Sequence, residues 1–482
     1  METKTCQNCK KNFIIESEDF NFYEKIKVPT PTFCPDCRAQ RRFIWRNERS
    51  LHKRPCSYCK KDFISIYNNG VPFPVYCHTC YYSDSWDPLS YGKQYNQSKT
   101  FFSQIKEEGE GIVDSHYLVS SRNVTNLIGS VNLRSLSNYF FGRKLSQEEY
   151  KREINEIDFG SRKVRDELLK KFEEIKQNSI VRSTKQINCV NCVGDHLENA
   201  KDCYYVFDGF DLEKARYSSW VFGSKDISDC FGMGSSELIY EAISPEEVNN
   251  CKFLMAIDSS HDVEYGLFCQ SSGFLFGCVG LRSKEYCILN KKYSKEEYSE
   301  LVSKIKQEME NNPYVDKQGL SYSYGEFFPS ELSSFLYNES TAQEYYPLNK
   351  KGAKNIGFEW RDEEIRSYNI TIENDKIPDN INDVDDSIIE EVIACMHKQN
   401  CIHQCTQAFK IIPNELQFYH KMQIPLPNLC PNCRHFERLA RRNPMKLWLR
   451  NCAKCKKEIM SSYSPDRPEI VYCEKCYQQE VY

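Results

Sequence analysis

The sequence predicts a β-rich fold of mixed class: a central β-solenoid of about 12-residue units with helical insertions, flanked by duplicated double zinc-ribbon modules. Two observations carry this. Eight close cysteine pairs fall into two matching sets of four, one towards each end of the chain. Between them, from residue 201, short β-prone runs ending in Gly, Ser or Asp recur about every twelve residues.

The first set is Cys6/Cys9, Cys34/Cys37, Cys56/Cys59 and Cys77/Cys80; the second is Cys401/Cys405, Cys430/Cys433, Cys452/Cys455 and Cys473/Cys476. The gaps agree: 24 residues from Cys9 to Cys34 and from Cys405 to Cys430, 18 from Cys37 to Cys56 and from Cys433 to Cys452, and 17 from Cys59 to Cys77 and from Cys455 to Cys473. Residues between them match too, among them Phe22-Tyr23 with Phe418-Tyr419, Arg42 with Arg438, and Asn47 with Asn443. Equal gaps with identities inside them mark an internal duplication. Two thiolates on one tight turn and two on another make a closed tetrahedral zinc site. Such short segments bury little core, so metal must supply folding energy, typically ~10–16 kcal/mol per structural site. The spacing predicts four zinc ions per chain, with the pairs taken sequentially. The alternative is an iron–sulfur cluster. Cys395, His397 and His403 lie beside the first C-terminal pair, where one of them could replace Cys401.

The segment CQNCKKNFIIESEDFNFYEKIKVPTPTFCPDCRAQRR, with its FY, its proline-rich approach and its final CPxCR, resembles a zinc-ribbon domain found in many uncharacterised bacterial proteins; Cys401–Arg442 is similar to it, with a widened first knuckle. More loosely, the whole layout resembles a family of long cysteine-rich proteins of candidate-phylum bacteria. The resemblance implies the ribbon fold and no established activity.

The repeating units start at 201, 214, 225, 237, 249, 261, 273 and 284. One strand and turn cannot bury its apolar side alone, whereas stacked units can. A β-solenoid with about two units per coil is expected, with an antiparallel sandwich as the rival. Residues 115–145 read as further rungs. Cys203, Cys230, Cys251, Cys269, Cys278 and Cys287 read as small inward hydrophobes, and Cys189/Cys192 as a first rung rather than a metal knuckle. His116, His196 and His261 share no repeat position and are given no chemistry. The expected organisation is 1–83, an N-terminal double ribbon; 84–312, the solenoid with a helical hairpin inserted at about 146–178; 313–394, a wrapping segment, an acidic linker and a helix at 385–398; and 395–482, the C-terminal double ribbon.

The 482 residues are 40% hydrophobic and 27% charged, which suits folded protein and argues against full disorder. No run approaches the ~18 apolar residues of a membrane helix. The first residues lack the apolar core of a secretory signal, so a cytoplasmic protein is expected, in which 25 cysteines point to metal more than to disulfides. Net charge is −4, yet residues 1–61 and 395–482 each carry 14 basic and 7 acidic residues, leaving the middle strongly acidic. Arg38, Arg42 and Arg46, and again Arg434, Arg438 and Arg442, are spaced i, i+4, i+8 and would line one helix face. The expected function is non-enzymatic: zinc binding, with nucleic acid (RNA or DNA) contacted through those arginines. One alternative is a protein–protein interaction scaffold whose basic ends dock on an acidic partner or on the chain's own middle. Another is an enzyme acting on the solenoid face, although no carboxylate cluster or nucleophile motif supports it and no small-molecule substrate is identified.

Overall fold

Between His196 and Leu289 the backbone takes the left-handed conformation at every third residue without a break, with φ between 45° and 70°. This computed structural model describes residues 1–71, 73–81, 83, 125–128, 137–140, 143–144, 146–178, 180–362, 368–398 and 400–481. They form two compact units, one from the described residues of 1–115 with 185–362, the other from those of 116–184 with 363–482.

The triplet explains the solenoid. A left-handed residue turns the chain, the next side chain points inward, and the third points out. The inward column runs Leu197, Ala200, Cys203, Val206 and onward to Cys287, and its Leu, Ile, Val, Met, Ala and Cys members are buried in one core. The left-handed position holds no Val, Ile or Thr, whose branched Cβ is least tolerant of φ > 0; Asp, Ser, Asn and Gly are frequent there. Four triplets make one coil, because each strand pairs in parallel with the chain twelve residues on: Glu237 with Asn249, Asn249 with His261, Gly273 with Glu285. One unit therefore closes one coil, where two units per coil were expected. Coils this tight leave room only for small and medium inward side chains. Inward serines close a ladder: Ser224 Oγ accepts from Ser236 N–H at 3.2 Å, Ser236 Oγ from Val248 N–H at 3.1 Å, and Ser260 Oγ from Ser272 N–H at 3.1 Å. The parallel strands belong to a ten-stranded sheet from Gln186–Ile187 to Lys291–Lys292. The six expected rung cysteines all lie inward and buried, and burial holds their thiols protonated, Cys203, Cys251 and Cys269 up to about 12. Cys189 and Cys192 pack against the same core.

The helix Lys295–Asn311 starts on a Ser294/Glu297 capping box and sets Tyr298 against Tyr286 of a final coil, their rings 5.9 Å apart. Residues 314–362 then return along the solenoid, burying Tyr322, Tyr324, Phe327 and Phe328.

The second unit holds the C-terminal ribbons and the helical hairpin, whose helices span Gln147–Asn155 and Arg162–Asn178. Strand Ile180–Arg182 pairs in parallel with Ile470–Tyr472, so the hairpin belongs with this module. The expected acidic linker is core here: Ile377, Ile381, Val384 and Ile388 pack with Leu416 and Tyr419. In place of the helix expected at 385–398 there is a 3-10 turn over Asp386–Glu390, started by the Asp385 side chain, and then strand Ile393–Ala394. Of the rungs expected over 115–145, Thr125–Ile128 pairs in parallel with Ser137–Phe140 twelve residues on; residues 115–124, 129–136, 141–142 and 145 lie outside those described, as do 84–114. Among the described residues no helix is long and apolar enough to cross a membrane.

The triplet makes a surface prediction. Ser271 is exposed with φ +47°. Ser271→Val should destabilise by ~1–2 kcal/mol relative to Ser271→Gly, through the left-handed penalty alone. Urea unfolding followed by circular dichroism checks this, and equal stability of the two variants would contradict it.

Candidate metal centres and the arginine faces

A two-stranded hairpin presents the first cysteines of each site. Glu2–Thr5 pairs with Asn12–Ile15, His52–Pro55 with Asp62–Ser65, and Trp448–Asn451 with Glu458–Ser461. Each turn is built alike. Cys6 N–H donates to Lys11 O at 2.9 Å, Cys56 N–H to Lys61 O at 2.9 Å and Cys452 N–H to Lys457 O at 2.8 Å, with Lys10, Lys60 and Lys456 left-handed. The second pair comes from a helix start. Cys34 and Cys430 cap the helices Pro35–Phe43 and Pro431–Leu439, and Cys37 and Cys433 sit in their first turns. Unsatisfied N–H groups there favour thiolate.

These elements bring together Cys6, Cys9, Cys34 and Cys37; Cys56, Cys59, Cys77 and Cys80; and Cys452, Cys455, Cys473 and Cys476, with the sulfurs of each set within 4.8 Å of one another. Cys9 to Cys34 is 3.7 Å, Cys59 to Cys77 is 3.9 Å and Cys455 to Cys473 is 3.7 Å. A tetrahedron with metal–sulfur bonds of about 2.3 Å has edges of about 3.75 Å, so each set is sized for one ion rather than a multi-iron cluster. Removal from water pushes Cys56 and Cys452 up, but backbone N–H groups outweigh it and hold both thiols at about 6. Cys80 and Cys476 rise to about 12 through desolvation and the neighbouring thiols. Without a cation, four thiolates this close cannot all hold their charge.

The fourth set departs from the expected residues. It is Cys395, Cys405, Cys430 and Cys433, and Cys401 stands outside it. Hairpin register explains why. Thr5 pairs with Asn12 just before Cys6; Ala394 pairs with Ala408 just before Cys395. Cys395 N–H donates to Gln407 O at 2.7 Å, as Cys6 does to Lys11, and Cys430 N–H donates to Cys395 Sγ at 3.3 Å, as Cys77 N–H does to Cys56 Sγ at 3.2 Å. Cys395 thus occupies the place of Cys6. The equal count from the later cysteines pointed to Cys401, because the knuckle had been lengthened.

The first arginine helix, Pro35–Phe43, lies against the solenoid. Arg38 pairs bidentately with Asp229, Nε to Oδ1 at 3.0 Å and Nη2 to Oδ2 at 2.8 Å. Arg42 Nη1 bridges Asp229 at 3.1 Å and Glu241 at 3.2 Å. Arg41 reaches Glu241 at 2.8 Å and Glu326 at 2.9 Å. All six side chains are at most 3% exposed. Burial disfavours each charge, yet Arg38 and Arg42 hold the Asp229 carboxyl below its ordinary range, and Asp229 holds Arg38 protonated. Asp229 and Glu241 stand one coil apart. Neighbouring strands are ~4.8 Å apart and a helix rises ~5.4 Å per turn, so arginines a turn apart meet carboxylates a coil apart. Phe33 and Tyr217 lie against the guanidiniums of Arg41 and Arg38, at 4.3 and 5.4 Å. Arg46 bonds Ser244 and pairs with Glu48. Arg38 and Arg42, expected to face phosphate, are thus engaged with the chain's own middle. Arg41, Asp229, Glu241 and Glu326 were not anticipated; the acidic middle was their only trace in the sequence.

In the second arginine helix, Pro431–Leu439, Arg434 pairs with Glu415 at 3.1 Å and is a quarter exposed, while Arg438 and Arg441 are exposed. Arg442 is half-buried. An open groove of about 420 Å³ near the start of the solenoid is lined by His196, Glu198, Asp208, Phe210, Trp220 and Phe222 among others.

The two copies of one arginine should therefore behave differently. Arg38→Gln leaves Asp229 buried with half its partners and should cost ~3–5 kcal/mol, whereas Arg434→Gln at a part-exposed pair should cost under ~1 kcal/mol. Thermal and urea unfolding of the two variants check this; equal costs would contradict the burial assigned to the first helix.

No protein-family model matches the chain, and a search of curated proteins returns no match.

Proposed function

We propose that the chain is a non-enzymatic scaffold, folded on zinc at four cysteine centres, whose arginine helices are docking elements for acidic protein surface. The donor sets support zinc, since four soft thiolates at tetrahedral separations close the coordination sphere and leave no position for a substrate. The observation that carries the docking reading is the contact between Arg38, Arg41 and Arg42 and the carboxylates of Asp229, Glu241 and Glu326. There, within one molecule, a ribbon helix reads a ladder of carboxylates. The C-terminal copy presents Arg438 and Arg441 to solvent on the matching helix and turn, and offers the same chemistry to a partner.

Nucleic acid is a second reading for that C-terminal copy, favoured by the same exposed guanidiniums. Arg38 and Arg42 contribute little to it, because their donors are spent on buried carboxylates.

Two measurements on the intact chain separate these readings. A photo-crosslinking residue placed at position 438 in the native host should give discrete protein adducts. Fluorescence anisotropy with mixed-sequence single-stranded RNA and DNA should show no binding that depends on Arg438 and Arg441. Binding at low salt with a log–log salt slope of about −1.4 or steeper, the release expected from two phosphates, and its loss in R438Q/R441Q, would reject the protein-docking reading in favour of nucleic acid.

A further inference from the structure

The C-terminal copy carries an insertion that its twin lacks. Six residues separate the paired Thr5 and Asn12, whereas thirteen separate Ala394 and Ala408. The longer loop brings His397, Cys401 and His403 beside Cys433, with one ligand atom from each within 4.8 Å of the others. Cys401 Sγ is 3.7 Å from Cys433 Sγ, the same edge length as in the four-thiol sets. Cys433 thus belongs to two donor sets at once.

The helix has changed to face the loop. Where the first arginine helix has Gln40 and Arg41, the second has Phe436 and Glu437. Phe436 stacks on His403 with ring centroids 5.4 Å apart and planes 8° from parallel. Glu437 Oε1 lies 3.6 Å from His397 Nε2. Those two helix positions therefore hold the two inserted imidazoles. A carboxylate on one ring nitrogen orients the other towards a metal. Nδ1 of His397 and Nδ1 of His403 are both buried with no hydrogen-bond partner among the described residues. A buried ring nitrogen without a partner is costly, and a bound cation satisfies it.

We propose that the first ribbon of this module holds two zinc ions bridged by the Cys433 thiolate, one on Cys395, Cys405, Cys430 and Cys433, the other on His397, Cys401, His403 and the shared Cys433. Each ion then has four ligands, and a set of two imidazoles and two thiolates suits tetrahedral zinc. Sharing also eases the charge. A lone four-thiolate centre carries −2, whereas two dications on five thiolates and two neutral imidazoles leave −1. The chain thus carries five zinc ions, and the duplicated modules differ in metal content: two in the first, three in the second. This rests on the zinc reading of the four-thiol set beside it.

Metal analysis of the intact chain tests the site. The wild type should hold five zinc ions and H397A/H403A one fewer, with the circular dichroism of the solenoid retained. An unchanged zinc content in H397A/H403A would overturn the proposal. Cys395→Ser separates the two readings: zinc retained there but lost in H397A/H403A supports the inserted site and sinks the four-thiol one. Cadmium-113 substitution of the wild type needs no variant. A bridging sulfur should split two of the five resonances by mutual cadmium–cadmium coupling, and five resonances without such a pair would overturn the bridge.

Discussion

Three guanidiniums and three carboxylates, shut away from water between a ribbon helix and two coils of a solenoid, set the terms for the N-terminal half of the molecule. Each ion loses several kcal/mol of hydration on burial, and only the complete, hydrogen-bonded set recovers it. The arrangement therefore cannot form by halves. The helix must begin at a fixed point, its arginines must face one way, and the coils must present their acids in register. The four-cysteine cluster meets the first demand, because Cys34 caps the helix and Cys37 sits one residue before Arg38. The triplet backbone meets the last, because left-handed corners place Asp229 and Glu241 twelve residues and one coil apart. Glu326, from the returning segment, closes the set and also accepts from Thr32 N–H at 2.7 Å and Thr32 Oγ1 at 2.6 Å.

Much of this was legible in the residues, and what was hidden has physical reasons. Cysteine spacing survives duplication because a knuckle tolerates little change in length, so three of the four expected thiol sets are the ones brought together. The fourth misled because a loop inside a hairpin can grow without disturbing the strands, and hairpin register rather than spacing identifies Cys395. The twelve-residue period was plain, since short β-prone runs ending in Gly, Ser or Asp recur at that spacing. The triplet beneath it was not. Its marks are an apolar residue at every third place, such as Cys251, Leu254 and Ile257, and the exclusion of the β-branched Val, Ile and Thr from the corners, which differ from the two-residue alternation of ordinary strands. Arginine spacing located the helix face but not its partner, because Asp229 and Glu241 lie about two hundred residues away.

The duplicated modules have diverged in how they use one helix. In the first, Gln40 hydrogen-bonds Tyr337 and Arg41 reaches Glu241, both outside the ribbon. In the second, Phe436 and Glu437 turn to the inserted histidines of their own module. One helix spends its charge on the chain that carries it; the other keeps Arg438 exposed, with Arg441 exposed on the turn that follows. The cysteine turns and hairpins are common to both modules, so the helix surface can vary while the scaffold around the thiol sets stays the same.

The central claim is that Arg38 and Asp229 are energetically one unit joining ribbon and solenoid. A double-mutant cycle measures that directly. Stabilities of wild type, Arg38→Met, Asp229→Leu and the double variant should show the double variant costing less than the sum of the two single changes, by a coupling energy of at least ~2 kcal/mol. Costs that add within ~0.5 kcal/mol would contradict the account, and would mean that the helix is held to the solenoid by its other contacts alone.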